Sequence, residues 1–218
     1  MNDLLTQLNG GSVPTLDLFF LLTLAALLPS LVVMMTSFTR TIIIVSFTRN
    51  AMGVQQAPPN MVLVGISLFL TLYIMSPVIG EINEQAYQPY IRQEISQEEA
   101  AQRMVVPLKE FMLRNMEADT LDNFIGMSGT EVVEDPMDYP LTVVVPAFMT
   151  CELKKGFIAG FCIYLPFLLV DIIVSTTLMS MGMVMLPPAM VSLPFKLLLF
   201  VTVDGWELLF SNIVRGFR

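Results

Sequence analysis

The stretch that decides the fold runs from Gly156 to Phe195, GFIAGFCIYLPFLLVDIIVSTTLMSMGMVMLPPAMVSLPF. It lies between Lys155 and Lys196 and holds 40 residues with a single charge, Asp171. A helix needs about 20 apolar residues to span a bilayer, so this length suits two passes and a turn. Gly182 and Pro187-Pro188 supply the turn signal. Glycine admits a left-handed backbone, and a proline pair cannot continue a helix. The pattern predicts a hairpin with one arm from about Gly156 to Met181 and the other from about Ala189 to Asn212.

Asp171 lies on the first predicted arm and Lys196 on the second. Each is about 12 residues from the tip, or about 18 Å at about 1.5 Å per residue. Opposite charges at one depth can neutralise each other, on adjacent arms or adjacent protomers. A lone charge in an apolar layer costs roughly 2.5–3.5 kcal/mol on insertion scales. The alternative is a proton or ion relay. Pairing is preferred, because a relay needs a chain of ionisable groups and this stretch offers one pair.

The tip is crowded with methionine: Met179, Met181, Met183, Met185 and Met190, among 17 in the chain. Methionine is unbranched and fills irregular gaps. Simple packing of a turn would explain these residues. The alternate spacing of Met181, Met183 and Met185 is not a helical stripe, however, and points to a non-helical loop presenting thioethers. Irregular backbone at membrane depth is tolerated where it is buried in protein or lines a cavity. Repeated around a ring, such loops would make a soft apolar seal.

The same reading extends to the N-terminal half. Residues 1–15 read as a flexible arm. Leu18–Thr39 is 22 residues without a charge, and its helical pattern continues through Ile42, Ile43, Ile44 and Phe47 to about residue 50. The start lacks the positive charge of a secretory signal, so an uncleaved segment is expected. Gly53 and Pro58-Pro59 end the helix, and Asn60–Gly80 is a second uncharged run. Residues 16–80 thus read as a first helical hairpin, with Arg40 and Arg49 assigned to its closed end and to positive-inside anchoring. Gln55, Gln56, Pro58, Pro59 and Asn60 form its turn, as turn caps or as the lining of a cytoplasmic mouth.

Between the hairpins lies an acidic block. Residues 81–140 hold 13 of the 19 acidic residues and 4 of the 11 basic ones, a net charge of −9 in a chain of −8. Ser96-Gln97-Glu98-Glu99 fits a capping box, with Ser96 capping and Glu99 reaching back. Pro107 is expected to interrupt that helix, and Gly126–Gly129 to break the next. The block reads as a small helical layer with one apolar face, or as a solvated loop. Residues 141–218 form the second hairpin. The fold class is all-α, of membrane type.

Composition excludes much else. Hydrophobic residues are 55% and charged residues 14%, with a mean hydropathy of +0.70. Ordinary soluble domains carry about 25% charged residues. The chain has no His, which removes imidazole bases and imidazole metal sites. Its two cysteines fall short of the about four ligands of a zinc site. No phosphate-loop or nucleophile-elbow spacing occurs, so no enzyme, cofactor or metal is expected. No basic patch points to nucleic acid. One conflict remains. Lys154 and Lys155 precede the third segment on the same side where Arg215 and Arg218 end the fourth, so bases fall on both faces of a four-pass topology. Helices packed on partners in place of lipid would account for this.

Four stretches carry a family resemblance. They are Met35-Thr36-Ser37-Phe38-Thr39-Arg40, Arg49-Asn50-Ala51-Met52-Gly53-Val54-Gln55-Gln56-Ala57-Pro58-Pro59-Asn60, Pro146-Ala147-Phe148-Met149-Thr150-Cys151-Glu152-Leu153-Lys154, and Gly182-Met183-Val184-Met185-Leu186-Pro187-Pro188, which leads into Leu193-Pro194-Phe195-Lys196 and Val203-Asp204-Gly205-Trp206. In this order they resemble the FliP family of type III secretion export-gate proteins. Pro107-Leu108-Lys109-Glu110-Phe111-Met112 is more similar to the flagellar branch than to the injectisome branch. The resemblance implies a pentameric ring with FliQ and FliR. It implies contact with other export-apparatus and basal-body proteins, and location in the bacterial inner membrane at the flagellar basal body, with lipid nearby. It implies that the ring passes unfolded flagellar proteins out of the cytoplasm, with helical hairpins wound into a cone. A pore seal is implied at Met183 and Met185, with Met181 and Val184 adjacent, and a charge pair at Asp171 and Lys196. This chain has Val184 where many members have a third methionine, Cys151 where Ser or Thr is usual, and Gly156 where Ala is usual. Neither Cys151 nor Gly156 is expected to affect function. Glu152, Lys154 and Lys155 are candidates for intersubunit pairs, and Trp206 for an interfacial anchor or a packing residue. A small-solute or ion transporter coupled through Asp171 and Lys196 is the competing reading.

Overall fold

A computed structural model describes residues 18–19, 22–23, 25–27, 30, 33–54, 57–183 and 185–217. The expectations for the 1–15 arm and for Gln55, Gln56 and Val184 lie outside the described residues, as does much of the first apolar run. Every regular element among the described residues is helical. Helix α1 is Phe38–Ala51, and α2 is Asn60–Ile82. A π-helical turn at Asn83–Tyr87 carries α2 directly into the short α3, Gln88–Ile91. Helix α4 is Gln97–Asn115 and α5 is Ala118–Ser128. Helix α6 is Leu141–Ser180, α7 is Pro188–Thr202 and α8 is Gly205–Arg215.

Several boundaries depart from the sequence pattern. The first apolar run is not one helix to residue 50. It turns at Met35–Ser37, where the Thr36 hydroxyl donates to Val33 O at 3.0 Å. A short polar side chain that bonds nearby backbone offers an alternative to the helical ladder. Arg40 therefore sits in the first turn of α1, far from the hairpin's closed end, and only Arg49 is near it.

The second apolar run does not stop at Gly80. Helix continues through Glu81 and Glu84 to Ile91, because a change in polarity is not a helix stop signal and both glutamates are good helix formers. The stop comes at Gln93, which takes φ +60. Glu94 N–H bonds Pro89 O at 2.9 Å and Gln93 N–H bonds Tyr90 O at 3.0 Å, a left-handed cap usually made by glycine. Gln93→Gly is expected to stabilise the protein by about 1 kcal/mol by relieving the left-handed residue. Thermal unfolding in detergent measures it, and an unchanged or lower midpoint counts against it.

Pro107 does not interrupt α4, which runs through it. Phe111 is 2% exposed and Met112 is fully buried. Burying two such side chains is worth about 1.5–3 kcal/mol each, enough to offset a mid-helix proline of about 3 kcal/mol. The Ser96 hydroxyl does accept from Glu99 N–H at 3.2 Å, but the Glu99 carboxylate does not reach back. It accepts instead from Arg103 at 2.7 Å. Gly129 closes α5 with φ +68.

The third segment starts at Leu141, not Gly156, so Glu152, Lys154 and Lys155 lie inside α6. The second arm of that hairpin is broken. Asp204 takes φ +50, and α7 and α8 bend by 62° across it. The bend is tight, since a methyl group on Gly205 would come within 2.3 Å of the Phe200 ring. The second predicted hairpin thus has one long unbroken arm and one bent arm.

The acidic block is a helical layer that shares the main core. Ile44 and Val45 of α1, Met75 of α2, Phe111 and Met112 of α4, Leu121 of α5, and Val144 and Phe148 of α6 form one buried cluster. Helices Asn60–Ile91 and Leu141–Ser180 are long and apolar enough to cross a membrane, and the bent α7–α8 pair is a third candidate.

Candidate functional site

The structure brings Asp171 and Lys196 together. Lys196 Nζ donates to Asp171 Oδ2 at 2.7 Å, and the Ser192 hydroxyl donates to Asp171 Oδ1 at 2.6 Å. Ser192 and Lys196 are i,i+4 neighbours on α7, so one helical face presents both donors to the carboxylate on α6. The lysine side chain is 6% exposed and the aspartate 35%. The ammonium also lies 4.0 Å from the position a Cβ on Gly53 would take, which places it beside the turn of the first hairpin. Ala51, Met52, Phe167 and Phe200 make a small apolar cluster next to it.

The tip of the second hairpin is not helical from Met181 to Pro187 among its described residues. Gly182, at φ +76, donates to Met179 O at 3.1 Å, and Met183 N–H donates to Leu178 O at 3.0 Å. These two bonds form a Schellman cap, which ends α6 and turns the chain outward. Met181, Met183 and Met185 are all exposed, Met185 at 99%. In the first hairpin's turn, Arg49 donates to Asn60 Oδ1 and to Pro58 O, the latter at 3.4 Å. Arg49 therefore braces the turn, and Pro59 and Asn60 are exposed at its rim.

A second charge pair was not foreseen. Arg40 Nε donates to Glu152 Oε2 at 2.9 Å, and its Nη2 donates to Glu152 Oε1. Its Nη1 donates to Gly216 O at 3.0 Å, and the guanidinium lies 3.8 Å above the centroid of the Phe217 ring. Glu152 is fully buried. This corrects the assignment of Arg40 to membrane anchoring. The pair joins α1, α6 and the residues after α8. A signal existed: Glu152 is the one charge between Asp138 and Lys154, and a carboxylate among apolar residues needs a partner.

The other proposed intersubunit pairs also close within the chain. Lys154 Nζ lies 2.6 Å from Glu117 Oε2, and Lys155 donates to Asn115 O at 2.7 Å. The Lys154 ammonium holds the Glu117 carboxyl below its ordinary value. A depressed carboxyl contributes at neutral pH, and its contribution is lost as pH falls through the lowered value. Trp206 packs edge-on against Phe200, with centroids 5.1 Å apart, so it is a packing residue. Cys151 is buried and Cys162 exposed, and both are free.

Helix α6 meets α1 through Gly156 and Gly160, a small-xxx-small spacing also not foreseen. A methyl group on Gly156 would lie 3.2 Å from Ile43 Cβ. One on Gly160 would lie 2.6 Å from Phe47 Cγ.

Long apolar helices, buried ion pairs between them and a methionine-rich tip define an all-helical protein of membrane type. The chain belongs to the FliP family, whose model matches residues 21–213. It is 46% identical over 212 residues to Flagellar biosynthetic protein FliP of Aquifex aeolicus (strain VF5), covering 96% of this chain and 89% of that protein. It is 46% identical over 211 residues to Flagellar biosynthetic protein FliP of Pectobacterium carotovorum subsp. carotovorum, covering 96% and 82%. It is 45% identical over 203 residues to Flagellar biosynthetic protein FliP of Bacillus subtilis (strain 168), covering 93% and 92%.

Proposed function

We propose that this chain is a pore-forming subunit of the flagellar protein export gate in the bacterial inner membrane. Several copies, with FliQ and FliR, build a ring that passes unfolded flagellar proteins, and the tip around Met183 and Met185 seals it. Family membership supports the flagellar part of the reading. The single observation that carries the seal is the exposed, non-helical methionine loop closing a 40-residue helix. Thioethers on a loop can close against one another and still conform to a passing chain. The Asp171–Lys196–Ser192 contacts fix the base of that loop by tying α6 to α7. This geometry favours a holding role over solute coupling, since every donor and acceptor named is engaged within the chain.

The test is to co-express the chain with FliQ and FliR and weigh the intact complex by native mass spectrometry in detergent. One assembly with several copies of this chain and both partners is expected. A monomer or dimer that ignores both partners defeats the reading. In cells, Met183→Ala with Met185→Ala is expected to leave assembly intact and to raise passive ion or small-solute leak several-fold. An unchanged leak with an intact assembly rejects the seal.

A further inference from the structure

A thioether must be reached before it can be oxidised, and the fold sorts its methionines by access. Met112 is fully buried and Met52 and Met75 are 3% exposed, all within the apolar clusters. At the tip of the second hairpin Met183 is 42% exposed and Met185 99%, with Met179 and Met181 exposed beside them. The tip therefore gathers accessible sulfur on one loop, while the core methionines are shielded.

The loop is held by its backbone. Gly182 N–H donates to Met179 O, Met183 N–H to Leu178 O, and Leu186 N–H to Met183 O at 3.3 Å. These bonds run between main-chain groups, so a chemical change in the methionine side chains leaves them in place. The same change at Met75 or Met112 would put a polar group into the core, at the cost of burying it without a partner. Oxidation at the tip thus alters the polarity of the loop and not its fold.

We propose that Met183 and Met185 are a modification site for hydrogen peroxide, and that their sulfoxides loosen the seal until a reductase removes them. The inference rests on the sealing role proposed above. In the step, a sulfur lone pair attacks one peroxide oxygen, the O–O bond breaks and an S–O bond forms. The proton of the transferred hydroxyl goes to the leaving hydroxide, which departs as water. Sulfur is oxidised by two electrons and the peroxide reduced by two. The product side chain is polar where the thioether was apolar. Hydrophobic constrictions close by dewetting. Sulfoxides at this constriction hold water, so the closed state is the one they weaken.

The test reconstitutes the complex of this chain with FliQ and FliR in liposomes holding a small dye. The chain carries Cys162→Ser, which removes its exposed thiol. Dilute hydrogen peroxide is added, peptide mapping locates the sulfoxides, and dye release measures the leak. Sulfoxide is expected at Met183 and Met185 before Met52, Met75 and Met112, with helical circular dichroism unchanged and the leak raised several-fold. Methionine sulfoxide reductases for both epimers, with dithiothreitol, should reverse the rise. Met183→Leu with Met185→Leu should show no rise over its own baseline. Met61→Leu with Met127→Leu, which removes exposed thioethers away from the tip, should still show it. An equal rise in the tip variant overturns the proposal. So do tip sulfoxides without a rise, or tip methionines left intact while Met127 is converted. In each of those cases Met183→Ala with Met185→Ala separates the two readings. A raised leak in that variant keeps the seal and drops only the switch, and an unchanged leak drops both.

Discussion

Arg40→Ala is expected to destabilise the protein by about 3–5 kcal/mol, the cost of leaving a buried carboxylate without its partner. Glu152 has no solvent to fall back on, being fully buried. The substitution also removes the donor to Gly216 O and the cation above Phe217. Arg40→Lys should rescue little, because a lysine offers a point charge where the carboxylate is met by a two-pronged planar fork. Arg40→Met combined with Glu152→Leu should recover most of the loss, since a buried pair replaced by apolar groups is often neutral. Unfolding in detergent, followed by helical circular dichroism, measures all four proteins. A single-variant loss below about 1 kcal/mol, or a double variant no better than Arg40→Ala, would show that the pair is not what holds α1 to α6.

The second large effect is at Gly160. Gly160→Ala places a methyl group 2.6 Å from Phe47 Cγ and 2.9 Å from Phe47 Cβ. A rotamer change can move Cγ but not Cβ, which is fixed by the backbone, so the helices must part. Overpacking of this kind costs about 1–3 kcal/mol, and Gly160→Leu should prevent recovery of folded protein. Gly156→Ala is the control. Its methyl would lie 3.2 Å from Ile43 Cβ, a gap closed by a few tenths of an ångström, and should cost under about 1 kcal/mol. Phe47→Ala in the Gly160→Ala background should recover only part of the loss, since it removes the 2.6 Å contact with Cγ but keeps the 2.9 Å contact with Cβ and loses the edge contact with Phe157, whose centroid is 5.4 Å away. Equal midpoints for Gly156→Ala and Gly160→Ala would contradict the contact geometry.

These two effects share an origin. Helix α1 turns the large side chains Arg40, Ile43 and Phe47 to α6, and Thr41 and Thr48 bond their own i−4 carbonyls. Close approach there depends on what α6 lacks at Gly156 and Gly160, and on one buried ion pair. Further along, aromatic packing continues the seam. Phe111 stacks on Phe217, with centroids 6.1 Å apart, and meets Phe148 edge-on.

The sequence by itself determined the helical class and the sites of the two hairpin turns. Gly53 with Pro58-Pro59, and Gly182 with Pro187-Pro188, are local signals whose backbone consequences do not depend on partners. It also placed Asp171 and Lys196 at one depth, because rise per residue converts a count into a distance. Helix ends set by polarity alone were misjudged at Gly80 and Gly156, since helices stop at caps and not at changes of solvent. Only tertiary structure decided that Arg40 belongs to Glu152, 112 residues away, and that Pro107 is carried within a helix. Both follow from burial, which sums contributions from elements distant in sequence. The bend at Asp204 belongs to the same group. A left-handed aspartate carries no strong sequence signal, yet it turns α8 back onto α1 and opens a groove between them.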